Sequence, residues 1–148
     1  MAYGESRISV VGEYMLAWLT ANMATLGLEA IFYDDQALIP KTPTLCVVPA
    51  GKRRELAGAP VRTNVEYTIY LMLYQEKIQD VQVNFRESMV LAEAVEQFLH
   101  TDLSMGGNCQ FSMVTGVEPG YAIRSRTLMR CTRLTWEGRT VMVGATIT

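Results

Sequence analysis

The stretch Arg62–Tyr74, RTNVEYTIYLMLY, decides the fold. Val65, Tyr67, Ile69, Leu71 and Leu73 fall on one side of an extended chain. Asn64, Glu66, Thr68, Tyr70, Met72 and Tyr74 fall on the other. A period of two built from β-branched and aromatic residues marks a strand with one fully apolar face. The second side is amphipathic, so another element is expected to cover part of it. No other run alternates for as long, which makes this the expected central strand. It needs a helix on its apolar face and a partner along its edge.

Two segments supply helices. From Ile8 to Leu26, the residues Val11, Met15, Trp18, Leu19, Asn22 and Leu26 recur at helical spacing. Ser6 or Ser9 can cap its start, and Gly27 stands where a left-handed terminating residue belongs. Trp18 reads as a core or interface anchor. From about Val81 to His100, Phe85, Met89, Ala92, Val95 and Leu99 line one face, with Phe98 beside them. Arg86, Glu87, Glu93, Glu96 and Gln97 largely occupy the rest, and Asp80 is the expected cap. His100 falls in the last turn, near the negative end of the helix dipole, which favours a structural role. This second helix is the expected cover for the central strand.

The remaining runs read as strands and turns. Ala30–Tyr33 is a short apolar run ending at Asp34-Asp35, a solvated turn rather than a cation site. Pro40 and Pro43 shape the entry to a strand Thr44–Val48, and Pro49 suggests an edge or a strand end. Gly51–Pro60, GKRRELAGAP, reads as a projecting loop, because it exceeds a tight hairpin and carries Gly51, Gly58 and Pro60. Gln75–Asp80 is a polar turn, and Met105–Asn108 another. Cys109–Val117 alternates, with Phe111, Met113, Thr115 and Val117 on one side, and Glu118-Pro119-Gly120 turns or bulges the chain. Thr127–Trp136 is a strand, Glu137-Gly138 a hairpin-like turn, and Thr140–Ile147 a last apolar stretch. The expected architecture is one α+β domain over residues 1–148. Its sheet is mostly antiparallel or mixed, with four to six strands and two helices packed on one face.

Composition bounds the function. The chain has 148 residues, 49% hydrophobic and 19% charged, an ordinary globular mix able to bury roughly two-thirds of its unfolded surface. A net charge of −2 makes the whole chain no polyanion binder, so nucleic-acid contact needs a local patch. Three separated cysteines, Cys46, Cys109 and Cys131, and a single histidine argue against a disulfide framework and a metal site. They read as reduced core residues. Nothing approaches the ~18 apolar residues of a membrane span, and no signal peptide is legible, so the expectation is a cytoplasmically made protein without a membrane. No nucleophile elbow, zinc-protease, phosphate-loop or dinucleotide motif is present. The reading is of a protein that is no enzyme and has no catalytic residue, metal or cofactor.

What remains is charge. Lys52, Arg53 and Arg54, followed by Glu55, put three cations on the expected loop, either as a solubilising segment or as a finger reaching a partner or a phosphate backbone. Arg124, Arg126, Arg130, Arg133 and Arg139 crowd the last third, while Glu76, Asp80, Glu87, Glu93 and Glu96 crowd the second helix and its approach. A protein with a basic and an acidic side can pair with copies of itself head to tail, and such contacts close into rings where the rotation allows.

Several phrases carry a resemblance. TLCVVPAGKRRELAGAPVRT before the long strand, LYQEKIQDVQVNFRE leading into AEAVEQFLH, and GVEPGYAIRSRTLMRCTRLTWEGRT together resemble the tail terminator (tail-completion) proteins of long-tailed bacteriophages. The resemblance spans roughly residues 8 to 141. It implies a small α+β virion protein, assembled in the host cytoplasm, that forms a homohexameric ring on the last ring of the tail tube. Such a ring stops tube growth and offers a docking surface to the head-tail connector or stopper. Lys52, Arg53, Arg54 and Glu55 would reach a neighbour, the tube, or DNA passing through the lumen without sequence-specific binding. Arg124, Arg126, Arg130, Arg133, Glu87 and Glu93 would meet other subunits or partners. The nearest alternative is another neck protein, a head-tail adaptor or stopper. From a different class comes a small nucleic-acid-binding module using Lys52, Arg53, Arg54, Arg124 and Arg126, with Tyr121 stacking on a base.

Overall fold

The computed structural model describes residues 7–58, 62–77, 81–124 and 126–143, without the side chains at 55–58, 62–63, 76–77, 81–85 and 142–143. Along the chain come α1 (Arg7–Ala21), α2 (Met23–Leu26), β1 (Ala30–Tyr33) and β2 (Thr44–Gly58). They are followed by β3 (Arg62–Lys77), α3 (Val81–Leu99), β4 (Phe111–Arg124) and β5 (Thr127–Val143). The strands form one mixed sheet ordered β1-β2-β3-β5-β4, in which only β1 and β2 run parallel. This is an α+β fold with five strands, and β3 is its central strand.

The alternation in β3 translates directly into two faces. Val65, Tyr67, Ile69, Leu71 and Leu73 are at most 2% exposed, and they share one core with Val11, Met15 and Leu19 of α1 and Ala92, Val95 and Leu99 of α3. Each fully buried aliphatic side chain there contributes roughly 1.5–3 kcal/mol. Both long helices therefore lie on one face. They divide it, with α1 over β1 and β2 and α3 chiefly over β5 and β4, where sequence reasoning placed α3 on the central strand. Trp18 bridges them, its ring 4.4 Å from that of Phe98. Ser88 joins this buried face through a hydrogen bond to Thr132, a polar tie that the apolar spacing did not announce.

The first helix differs from the single run Ile8–Leu26. It breaks at Asn22, whose side-chain amide donates to the Trp18 carbonyl, and resumes for one turn before Gly27 closes it at φ 75°. Ser9 lies inside α1 rather than at its cap. Ser6, Asp80 and the end of the stretch Thr140–Ile147 lie outside the described residues, as do the side chains of Glu55, Glu76 and Phe85.

Three expected turns are strand instead. Gly51–Gly58 continues β2, with Lys52, Arg53 and Arg54 registered opposite Tyr67, Glu66 and Val65. A bulge between Pro49 and Gly51 absorbs the irregularity, so Pro49 does not end the strand; it lies beyond Val47, the last residue of β2 paired with β1, where β2 is the edge of the sheet. The connection to β3 shrinks to residues 59–61, outside the described residues. Glu118-Pro119-Gly120 runs straight within β4, paired with Arg133, Thr132 and Cys131. β4 is an edge strand, where a proline without an N–H is tolerated. Its bulge falls between Val114 and Gly116, which moves Val117 off the side of Phe111, Met113 and Thr115 and onto the core. Finally, Glu137-Gly138 is interior to β5. A Cβ at Gly138 would lie 2.4 Å from Trp136 Cη2 and 2.8 Å from Cys109 Sγ, so the glycine serves close packing and not a turn.

Candidate functional site

The functional candidate is the helix-free face of the sheet and the hairpin β4–β5 at its edge. At one end of this face a small second cluster forms from Ile39, Cys46, Tyr74, Met129 and Cys131. Residues 34–43 cross over it, carrying Ile39 inward, which is the partial cover that the amphipathic side of β3 called for. Asp34 turns the chain at φ 71°, and the adjacent Asp35 is no solvated bystander. The Tyr74 hydroxyl donates to Asp35 Oδ1 at 2.5 Å and Arg124 Nη2 donates to Oδ2 at 2.7 Å. Burial works to raise the Asp35 carboxyl, but these hydrogen bonds, the Arg124 charge and the Gln36 amide outweigh it and hold the group below its ordinary value.

Two further arginines repeat the pattern along the face. Arg133 pairs with Glu118 at 2.7 Å while its guanidinium lies 4.7 Å over the Tyr70 ring, and Arg139 pairs with Glu66 at 2.5 Å. Each such half-exposed pair contributes little to stability. Their larger effect is neutralisation, because Arg124, Arg133 and Arg139 all meet a carboxylate. Arg130 is not a surface group either. It is 3% exposed on the opposite face, its guanidinium 4.5 Å over Tyr121. Arg126 is exposed at the β4–β5 turn with φ 58°.

The remaining sequence-selected residues occupy separate regions. Lys52, Arg53 and Arg54 are exposed on β2 at the end of the sheet that holds Glu66 and Arg139. Arg124 and Arg126 lie at the other end, about 12 strand residues along β5, or roughly 40 Å. The five cations that a nucleic-acid module would share are thus not brought together. Glu87 and Glu93 are exposed on α3.

Sequence reasoning missed the apolar exposure. Among the described residues eight large hydrophobic side chains are exposed, and five of them belong to β4–β5: Phe111, Met113, Tyr121, Ile123 and Leu128. Phe111 and Met113, with Thr115, Glu66, Glu137, Gly138 and Arg139, line a groove of about 430 Å³ on the helix-free face. Tyr121, Ile123 and Leu128 lie near the opposite tip of the same hairpin. The signal was the alternation of Cys109–Val117, whose exposed side is as apolar as its buried one.

Groups suited to chemistry have other employment. Burial pushes the Cys46 thiol up to about 12 and those of Cys109 and Cys131 to about 11, which keeps them protonated. His100 Nε2 accepts the Val114 backbone N–H at 2.9 Å and so ties the end of α3 to the bulge in β4. Among the described residues no group of three or more His, Cys, Asp or Glu could hold a metal ion, and no helix is long and apolar enough to cross a membrane. No protein-family model matches the chain, and no curated protein matches it.

Proposed function

We propose that the chain is a structural virion protein of a long-tailed bacteriophage. Copies form a homohexameric ring at the head-proximal end of the tail tube, end tube polymerisation and present the docking surface for the head-tail connector. The role is one of binding and assembly rather than catalysis. The observation that carries the reading is the concentration of exposed apolar side chains on one edge hairpin, five of eight among the described residues. Exposed apolar pairs at each end of the hairpin, Phe111 with Met113 and Ile123 with Leu128, mark candidate contact surfaces, and obligate subunit interfaces are the more apolar class. The resemblance of residues 8 to 141 to tail terminators supplies the identity of the assembly. In it, the exposed Lys52, Arg53 and Arg54 meet the tube or the passing DNA by charge alone, without reading sequence.

The test is the mass of the purified chain by light scattering across a concentration series, followed by mixing with tail-tube protein. A species of six times 16.5 kDa, or capped tube ends in electron micrographs, supports the reading. A monomer at every concentration that also leaves tubes uncapped refutes it. A ring that ignores the tube but binds the connector moves the protein to the adaptor or stopper position.

A further inference from the structure

We infer that the ring is closed by a knob-and-groove contact in which the tip of one subunit's β4–β5 hairpin seats in the Phe111/Met113 groove of the next copy. This rests on the ring reading above and adds which surfaces meet. The knob is the hairpin tip. Ile123 is registered opposite Leu128, they are 68% and 51% exposed, and Arg126 stands in the turn between them. The groove is apolar along Phe111 and Met113, bordered by Gly138, and edged by Glu137.

Charge complementarity selects the occupant. Glu66 and Arg139 in the groove satisfy one another, whereas Glu137 has no ion pair among the described residues. Arg126 likewise has none among them. An apolar knob that presents one unpaired cation matches an apolar groove that presents one unpaired carboxylate. A subunit cannot fill its own groove, because Met113 and Ile123 are ten residues apart on one strand, roughly 30 Å. The occupant is therefore a second copy. In a ring each tip enters the groove of a different neighbour, so the contact there is heterologous and propagates head to tail.

Two single-cysteine additions test it, Ile123→Cys and Met113→Cys, each at an exposed position. The native thiols are buried and protonated, so mild oxidation reports the new ones. Mixing the two variants, alone and with tail-tube protein, is expected to give a disulfide-linked dimer that neither variant gives by itself. Arg126→Glu is expected to weaken self-association on the order of tenfold, with recovery on adding Glu137→Arg to the same chain. A wild-type ring without the mixed cross-link, or a cross-link from Ile123→Cys alone, overturns this contact and leaves the ring reading standing. A wild-type chain that stays monomeric with and without tube, with no cross-link in either condition, overturns both.

Discussion

Replacing Leu71 by aspartate tests the face assignment on which all else depends. Leu71 is fully buried on β3, registered between Val47 of β2 and Leu134 of β5, themselves fully buried. Loss of its packing costs about 2–5 kcal/mol by analogy with leucine truncations in cores. A carboxyl at that depth also has to stay neutral at pH 7. An upward shift of about 3–5 pKa units puts it near or above neutrality, and protonating a carboxyl of unfolded pKa ~3.9 at pH 7 costs about 4 kcal/mol. Together these reach about 6–9 kcal/mol, against a total stability of about 5–15 kcal/mol for a domain. Leu71→Asp is therefore expected to be unfolded or insoluble. Thr68→Lys, on the helix-free face of the same strand and opposite Glu137, is expected to change stability by less than about 1 kcal/mol. Soluble expression, far-UV circular dichroism and urea unfolding read both. A folded Leu71→Asp variant melting within a few degrees of wild type would sink the assignment of the two faces.

Changing Arg53 and Arg54 to Glu is expected to leave the circular dichroism spectrum and melting temperature unchanged, since both are exposed, and to abolish capping of tail tubes; capping at wild-type levels removes the arm from the interface. His100→Ala orphans the Val114 amide and should cost about 1–3 kcal/mol in urea unfolding, with no loss expected if water replaces the imidazole. Asp35 has a folded pKa below its unfolded one, so its contribution is present above the unfolded value and lost as pH falls through the folded one. Asp35→Asn should therefore lower stability at pH 7 and flatten its decline below about pH 4, and an unchanged acid profile would refute that linkage. All three thiols should resist a disulfide reagent at pH 8 in the native state and react together on unfolding, whereas fast reaction of any one without denaturant would contradict its burial.

The central strand was legible because a period of two survives any tertiary context that buries one side, and Val65 to Leu73 obey it without exception. The face of α3 was legible at its C-terminal half for the same reason. Strand ends were not, because glycine and proline carry several meanings. Gly138 and Pro119 both read as chain breakers, yet one makes room for Trp136 and Cys109 and the other sits on an edge that needs no donor. Lys52 to Arg54 read as loop because Gly51 precedes them, while their true neighbours on β3 lie beyond the turn in sequence. Charge was the least legible property. Arg124 counts as a free cation until the fold brings Asp35 to it from 89 residues away. No local pattern reports such a partner.

The lengths of the elements explain where the exposed apolar ends of the hairpin fall. The 19 residues of α3 span about 28 Å, whereas the 17 residues of β5 extend about 56 Å. A helix layer of that length covers half of the hairpin beneath it. Ser88 faces Thr132 and His100 faces Val114, so α3 lies over the middle of the hairpin, and Ile123 and Leu128 near the tip stay exposed. This chain keeps the hairpin long and, beside the polar residues Arg124, Ser125, Arg126 and Thr127, exposes Ile123 and Leu128. The charged side chains of the helix-free face are mostly consumed in pairs with one another, which leaves Arg126 at the tip and Glu137 at the groove. An extended hairpin with apolar groups at both ends and neutralised charge between them is poorly suited to life as a monomer. The same geometry is economical when each tip is received by the groove of a neighbour, because one contact then covers both exposed ends of every hairpin in the ring.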